Sequence, residues 1–441
     1  MTAPVRRASV FAALCTLSLA VPLASPRVGA AVAGVVLLGA YAITDGPLFD
    51  LLAYPGDYED ARLYGLITFV LASVALGLMA TAASMPVAVF VGTLLLVGYG
   101  NLGEQLVRLR TDSAVVRVIG FCLAAIPAAV LGQALTRSLA SDAVTSVLPV
   151  LVFLAASGAF LAALLRTVLL RSDDPIVVLS VGLLLWLLAA LEPTIGTGEI
   201  LIALAVTVAL GYTSYALETA SIAGMLTGVL LVLLTTILGG YGWFAVLVSF
   251  FAIGGLSTKF RYERKTALGV AEDNNGARGS GNVLGNAAVA LVAVLGYAAS
   301  DAGFLPHEPD LFLFAFAGSI ATAMSDTLSS EIGSVFDRPR LITTLEPVEP
   351  GTDGGVTWQG ELAGLAGAAI VAVIAVGLFP EVSAVGAAVI VAAGVAGMTV
   401  DSLLGATLEG SILGNQGVNF LATLSGALVS ALLVVTFAVP G

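Results

Sequence analysis

The chain has 441 residues, of which 59% are hydrophobic and only 10% charged, and its mean hydropathy is +1.05. No soluble fold can cover that much apolar surface, so the bilayer must serve as its solvent. Its 17 basic against 29 acidic residues leave a net charge of −12, which argues against nucleic acid as a partner.

The chain opens with Arg6 and Arg7 before an apolar run that imitates a secretory signal, and Cys15 imitates a lipid-anchor cysteine. A second apolar run follows directly after Pro26 and Arg27, so the first is read as a retained span. Candidate spans then follow one another at 8–24, 28–43, 63–83, 87–98, 115–135, 144–165, 176–191, 200–212, 222–238, 243–255, 282–300, 311–325, 359–379, 382–400 and 418–439. A spanning helix needs roughly 20 apolar residues, and short polar breaks separate these runs. The expected fold is an all-α polytopic bundle of about fifteen spans, with residues 1–221 as an N-terminal transmembrane region and 222–441 as a C-terminal domain. With the N-terminus in the cytoplasm, every basic residue except Arg27 and Arg137 falls on the inner face, as the positive-inside rule prefers. Cys122, like Cys15, lies in an apolar run away from any Cys or His, which excludes a disulfide framework and a thiolate metal site. Lys259 and Lys265 are the only lysines, and an acidic, lysine-poor chain suits a halophilic source.

That orientation puts three polar loops of the second half, 259–281, 332–358 and 401–417, on the cytoplasmic side. The first carries Lys265, the acidic stretch 272–273, Arg278 and the string GSGNVLGN at 279–286, with Gly279, Gly281, Asn282 and Asn286. Glycines before a helix can aim free N–H groups at an anion. They equally serve helix packing, with the basic residues as membrane anchors. The string SDTLSSEIG at 325–333 sets Asp326 four residues from Ser330 and Thr327 four from Glu331, crowding carboxylates and hydroxyls at one helix end. Carboxylates there are costly unless used, and hard oxygens of this kind suit magnesium shared with substrate phosphates. The bland alternative is a solvated terminus with serine caps. The next loop repeats the basic-and-glycine design with Arg340, Thr343, Thr344, Gly351, Thr352, Asp353 and Gly354, and DSLLGA at 401–406 adds Asp401 at another helix end. His307 is the only histidine and reads as a surface residue, because no second histidine exists to share a metal. In the first half, residues 99–110 faintly echo the acidic helix end, with Asn101 where the later copy has Asp326.

Taken in order, GSGNVLGN, SDTLSSEIG, PGTDGG at 350–355 followed by GELAG at 360–364, and DSLLGA resemble a membrane family called domain of unknown function ninety-two. That family includes plant and cyanobacterial phytyl-phosphate kinase and an uncharacterised human transmembrane protein. The resemblance covers roughly residues 224–441, and the first half loosely resembles a dolichol-kinase-type domain that lacks its aspartate. It implies an isoprenyl-phosphate kinase using a nucleotide triphosphate, CTP by analogy with related lipid kinases, and Mg2+. Asp326, Glu331 and Asp401 would hold the metal. Lys265, Arg278 and Arg340 with the glycine turns would grip phosphates, alongside Thr327 and Ser330. The implied partners are the bilayer, an isoprenoid lipid and a nucleotide, at a multi-pass cell membrane with the active face cytoplasmic. Cytidylyl transfer to a lipid phosphate, a transporter or carrier, and a non-enzymatic scaffold are the rival readings.

Overall fold

The computed structural model describes residues 3–23, 26–169, 174–269, 277–306 and 308–437. The acidic stretch 272–273 and His307 therefore lie outside the described residues. Apolar runs of this length fold as helices because a bilayer offers no water to the backbone, and a helix satisfies its own N–H and C=O groups.

Two compact units divide the chain at Leu204 and Ala205. The first holds α1 (Ala3–Thr16) with a 3-10 continuation Leu17–Leu23, α2 (Pro26–Ala42), α3 (Gly46–Leu52), α4 (Asp57–Asp60), α5 (Tyr64–Ala82), α6 (Val87–Arg108), α7 (Ala114–Leu139), α8 (Leu148–Val168) and α9 (Asp174–Ala190). The division falls inside α10 (Thr197–Ala216). The second unit continues with α11 (Ile222–Gly239), α12 (Tyr241–Ser257), α13 (Tyr262–Leu268), α14 (Ser280–Asp301), α15 (Pro309–Gly333), α16 (Trp358–Leu378), α17 (Ala384–Leu408) and α18 (Asn415–Phe437).

Twelve of these helices are long and apolar enough to cross a membrane. The number is fourteen when the bent pairs Ala31–Ala42 with Gly46–Leu52 and Tyr241–Ser257 with Tyr262–Leu268 each count as one span, and α9 is a shorter apolar helix. Each apolar run expected from the sequence corresponds to one of these elements, so the protein is a polytopic all-helical membrane protein. Among the described residues the only strands are the short antiparallel pair β1 (Arg340–Leu341) and β2 (Gly355–Val356), which set Arg340 opposite Val356.

In the first unit α6 is central, and α5, α9, α8 and α7 follow one another around it, with α1 also packed on it. In the second unit α15 is central, and α14, α18, α17 and α16 surround it, with α12 also packed on it. Helices in lipid gain little from the hydrophobic effect, so they associate through close packing of small residues. The α15 face does this with Gly318, Ser319, Ala321, Thr322 and Ser325, all buried. The Thr322 hydroxyl donates to Gly318 O at 2.9 Å and approaches Ala393 O on α17 at 3.3 Å, an interhelical bond of about 0.6 kcal/mol.

The three polar loops of the second half meet at one end of the second unit. Gly333 at the end of α15 packs on Gly360 at the start of α16, and Thr357 Oγ1 reaches Gly333 O at 3.4 Å. Gly285 on α14 sits against the backbone of Gln416 on α18. Ser221 before α11 donates its N–H to Arg278 O at 3.0 Å. Apolar contacts close the other end, where Trp243 meets Tyr297 and Phe379 at ring-centroid distances of 4.9 and 6.3 Å.

Candidate functional site

Asp326 lies seven residues before the end of α15 and Asp401 seven before the end of α17. Their helices are packed neighbours, and the two carboxyl groups come within hydrogen-bond reach of each other. The Oδ1 atom of Asp401 is buried and has no hydrogen-bond partner. An unmet carboxylate oxygen beside a second carboxylate, in a low-dielectric surrounding, is an expensive arrangement in the absence of a cation. The charges of Glu409, Glu331 and Arg278 also bear on Asp326.

Glu409, just past α17, is a residue that the sequence reading did not single out. Asp401, Gly405 and Glu409 are spaced i, i+4, i+8 and so share one helix face, the signal that would have found it. Asn415, at the start of α18, lies beside the Glu409 side chain and favours its charged form. Burial, followed by the charge of Asp353, pushes the Glu409 carboxyl above its ordinary range, and Asn415 offsets part of that rise.

The hairpin of the 332–358 loop is brought to this group through Gly354. With φ at +73°, Gly354 is in the left-handed region, and a Cβ there would stand 2.6 Å from Ser402 O on α17. Gly405 leaves room for the Gly354 N–H on the other side of the same contact. The turn backbone thus lies directly on the stretch of α17 between Asp401 and Glu409. Arg278 reaches the site from the start of α14, its guanidinium 5.3 Å from the centre of the Phe250 ring and packed beside Gly254 on α12. Thr327 is buried next to that same glycine.

The remaining expected residues are placed differently. Lys265 is 2% exposed and forms an ion pair with Glu331, while its ammonium also reaches Ser257 O and Thr258 O at 3.3 Å each. All three ammonium donors are engaged, so Lys265 and Glu331 join α13 to the end of α15 instead of facing a ligand. Arg340 is exposed and donates to Leu345 O at 2.6 Å, and Thr343, Thr344, Gly351, Thr352 and Asp353 are exposed on the hairpin. Ser330 is exposed and bonds its own helix at Thr327 O. Gly281 and Gly285 pack against Gln416, which favours the packing reading of those glycines, whereas Gly279 at the start of α14 has open space around it. Asn286 donates to Asn282 O at 3.0 Å, and Asn282 Oδ1 is buried with no partner.

Among the described residues no group of three or more His, Cys, Asp or Glu side chains forms a self-contained metal cage. Two adjacent carboxylates with an unpartnered oxygen match magnesium, which protein commonly holds by one or two carboxylates while phosphates and water complete the octahedron.

The fold and this cluster define a polytopic membrane protein with an acidic polar site at one end of a small-residue helix bundle. The chain belongs to the Integral membrane protein DUF92 family, whose model matches residues 205–427. It is similar to an uncharacterized membrane protein of Methanocaldococcus jannaschii, 36% identical over 203 residues that cover 45% of this chain and 78% of that protein. Protein VTE6, chloroplastic, of Arabidopsis thaliana is 34% identical over 221 residues, covering 48% of this chain and 65% of the relative. Protein PGR of the same plant is 31% identical over 258 residues, covering 49% and 89% respectively. No solved structure matches the chain.

Proposed function

We propose that the second unit is a membrane-embedded prenyl-phosphate kinase, moving the terminal phosphoryl group of a nucleotide triphosphate onto an isoprenoid monophosphate. The observation that carries this reading is the Asp326 and Asp401 pair at adjacent helix ends, with an unmet buried oxygen. The family resemblance supports the substrate class and makes CTP the first nucleotide to test.

Phosphoryl transfer asks a protein mainly for positioning and charge. An oxygen of the lipid phosphate would form the new bond to the γ-phosphorus, the β–γ bridging P–O bond would break, and the nucleoside diphosphate would leave with that electron pair. The acceptor phosphate is already anionic near neutral pH, so no side chain has to remove a proton. Asp326 and Asp401 would hold Mg2+, which when bound would offset negative charge on the nucleotide phosphates. Arg278 would meet phosphate oxygens beside Asp326, and the Gly354 turn would set the approach over α17. Glu409, beside Asn415, would border the nucleotide side. The isoprenoid tail would run along lipid-facing α16 and α17, where Ala369, Ala372, Val376, Ala387 and Val391 line a shallow apolar groove. The distribution of arginines supports a cytoplasmic position for this end, where nucleotide would be available.

Purified protein in detergent, incubated with Mg2+, each γ-labelled nucleotide and a panel of prenyl alcohols and prenyl phosphates, tests the reading by product identity. A labelled prenyl diphosphate is expected. A cytidylylated lipid with released diphosphate would replace the kinase by a cytidylyltransferase. Absence of any nucleotide-dependent product across the panel would overturn the enzyme reading.

A further inference from the structure

The first unit contains a buried charged centre that the proposed reaction does not use. Arg166, near the end of α8, donates Nη1 to Asp174 Oδ1 at 2.6 Å, Nη2 to Asn101 Oδ1 at 2.9 Å, and Nε and Nη2 to Glu104 Oε2 at 3.3 and 3.1 Å. The Asp174 carboxylate accepts a further bond from Tyr54 Oη at 2.8 Å, and Arg7 lies 4.4 Å above that tyrosine ring. The guanidinium itself sits 5.6 Å from the Phe121 ring centre. Side-chain exposures of 16%, 20% and 13% for Arg166, Glu104 and Asp174 put this centre inside the helix bundle.

The packing around it repeats that of the acidic site. In the first unit α5, α9, α8 and α7 succeed one another around α6, and in the second α14, α18, α17 and α16 succeed one another around α15 in the same chain order. Within these two sets of five helices the pairs that meet correspond, with the helix before the central one packed on the last of the set, as α5 on α9 and α14 on α18, while the outer helices differ, α1 packing on α6 but α11 on α14. The central helices agree in register as well. Asn101 is seven residues before the end of α6, and Asp326 is seven before the end of α15. Arg166 and Asp401 both lie in the last third of the second helix after the central one, and Asp174 and Asn415 both open the helix that follows. In each unit the central helix and its second successor thus bring polar side chains together toward the same end, with Arg166 two residues and Asp401 seven residues before the end of its helix.

We infer that the first unit is an internal counterpart of the second, in which the Arg166 guanidinium is a built-in cation filling the oxygen-lined centre that Asp326 and Asp401 leave open. The inference rests on the reading of that aspartate pair as cation ligands. Asn101, Glu104 and Asp174 present one amide and two carboxylate oxygens to a single positive group, as ligands do to a metal. A resident guanidinium with four of its five donors engaged occupies the place a free cation would take. It also gives the first unit a role as a fixed, cation-independent clamp among α6, α8 and α9, since removing the one positive group strands two buried carboxylates.

The test compares Arg166→Ala, Arg166→Met and Arg166→Lys with wild type by thermal melting in detergent. Each is measured with low-millimolar guanidinium and with an equal concentration of tetramethylammonium. Arg166→Ala is expected to melt lower and to recover selectively with guanidinium, with little response in wild type. The double variant Asn101→Asp/Arg166→Ala is expected to bind one more Mn2+ per chain than wild type, counted by electron paramagnetic resonance. Equal guanidinium response in wild type and Arg166→Ala would overturn the inference. If Arg166→Ala does not fold, Arg166→Lys melting above Arg166→Met supports a required cation, and Arg166→Met melting at or above Arg166→Lys contradicts it. Failure of wild type to bind Mn2+ would remove the reading of Asp326 and Asp401 alone, because guanidinium recovery is measured without manganese.

Discussion

The carboxyl groups of Asp326 and Asp401 face each other across the contact between α15 and α17, and Asp401 Oδ1 has no partner. Two like charges in a dry site repel when no cation separates them. Asp326→Asn or Asp401→Asn should therefore raise the apparent melting temperature by a few degrees in chelator, a gain on the order of 1 kcal/mol. The same variants should lose the stabilisation that Mg2+ gives wild type. Melting curves with and without Mg2+ check both signs.

Lys265 and Glu331 make the opposite kind of pair, charge-matched and buried. Lys265→Met leaves Glu331 unpaired and should cost about 3–5 kcal/mol, while Lys265→Met with Glu331→Gln should regain most of that loss. A double-mutant cycle on unfolding free energies measures the coupling. Near-additive losses would contradict this account of the pair.

Gly354→Ala should damage the site without dissolving the bundle. The left-handed backbone costs a non-glycine residue about 1 kcal/mol, and the new methyl would overlap Ala406 on α17. Activity should fall at least tenfold, with helical circular dichroism unchanged and faster proteolysis between β1 and β2.

Glu409 gives the pH dependence its sign. Its folded-state carboxyl is raised above the ordinary value by burial and by Asp353, so the folded chain holds this proton more tightly than the unfolded chain. The contribution of this group to stability thus grows as pH falls through the raised value and is lost as pH rises through it. Glu409→Gln should flatten that component, seen by melting wild type and variant at mildly acidic and neutral pH in chelator.

Much of the fold is written in the hydropathy pattern, because a bilayer forces each long apolar run into a helix. The convergence of the three polar loops also follows from counting spans, and it brought Asp326, Asp401, Arg278 and Gly354 into one region. Pairing was harder to read. Lys265 and Glu331 are 66 positions apart, and each alone has the chemistry of a ligand-binding residue; only tertiary packing shows that they satisfy each other. Glu409 was hidden because it follows the last helical turn of α17, where a carboxylate resembles an ordinary loop residue. Arg166 carried a signal in the sequence, a lone charge ending an apolar span, but its partners Asn101, Glu104 and Asp174 come from other helices.

The most direct measurement is Mn2+ binding to purified wild-type protein, Asp326→Asn and Asp401→Asn by electron paramagnetic resonance, with and without nucleotide triphosphate. The account predicts one site in the second unit that tightens with nucleotide and is lost in both variants. Unchanged manganese affinity in either variant would contradict it.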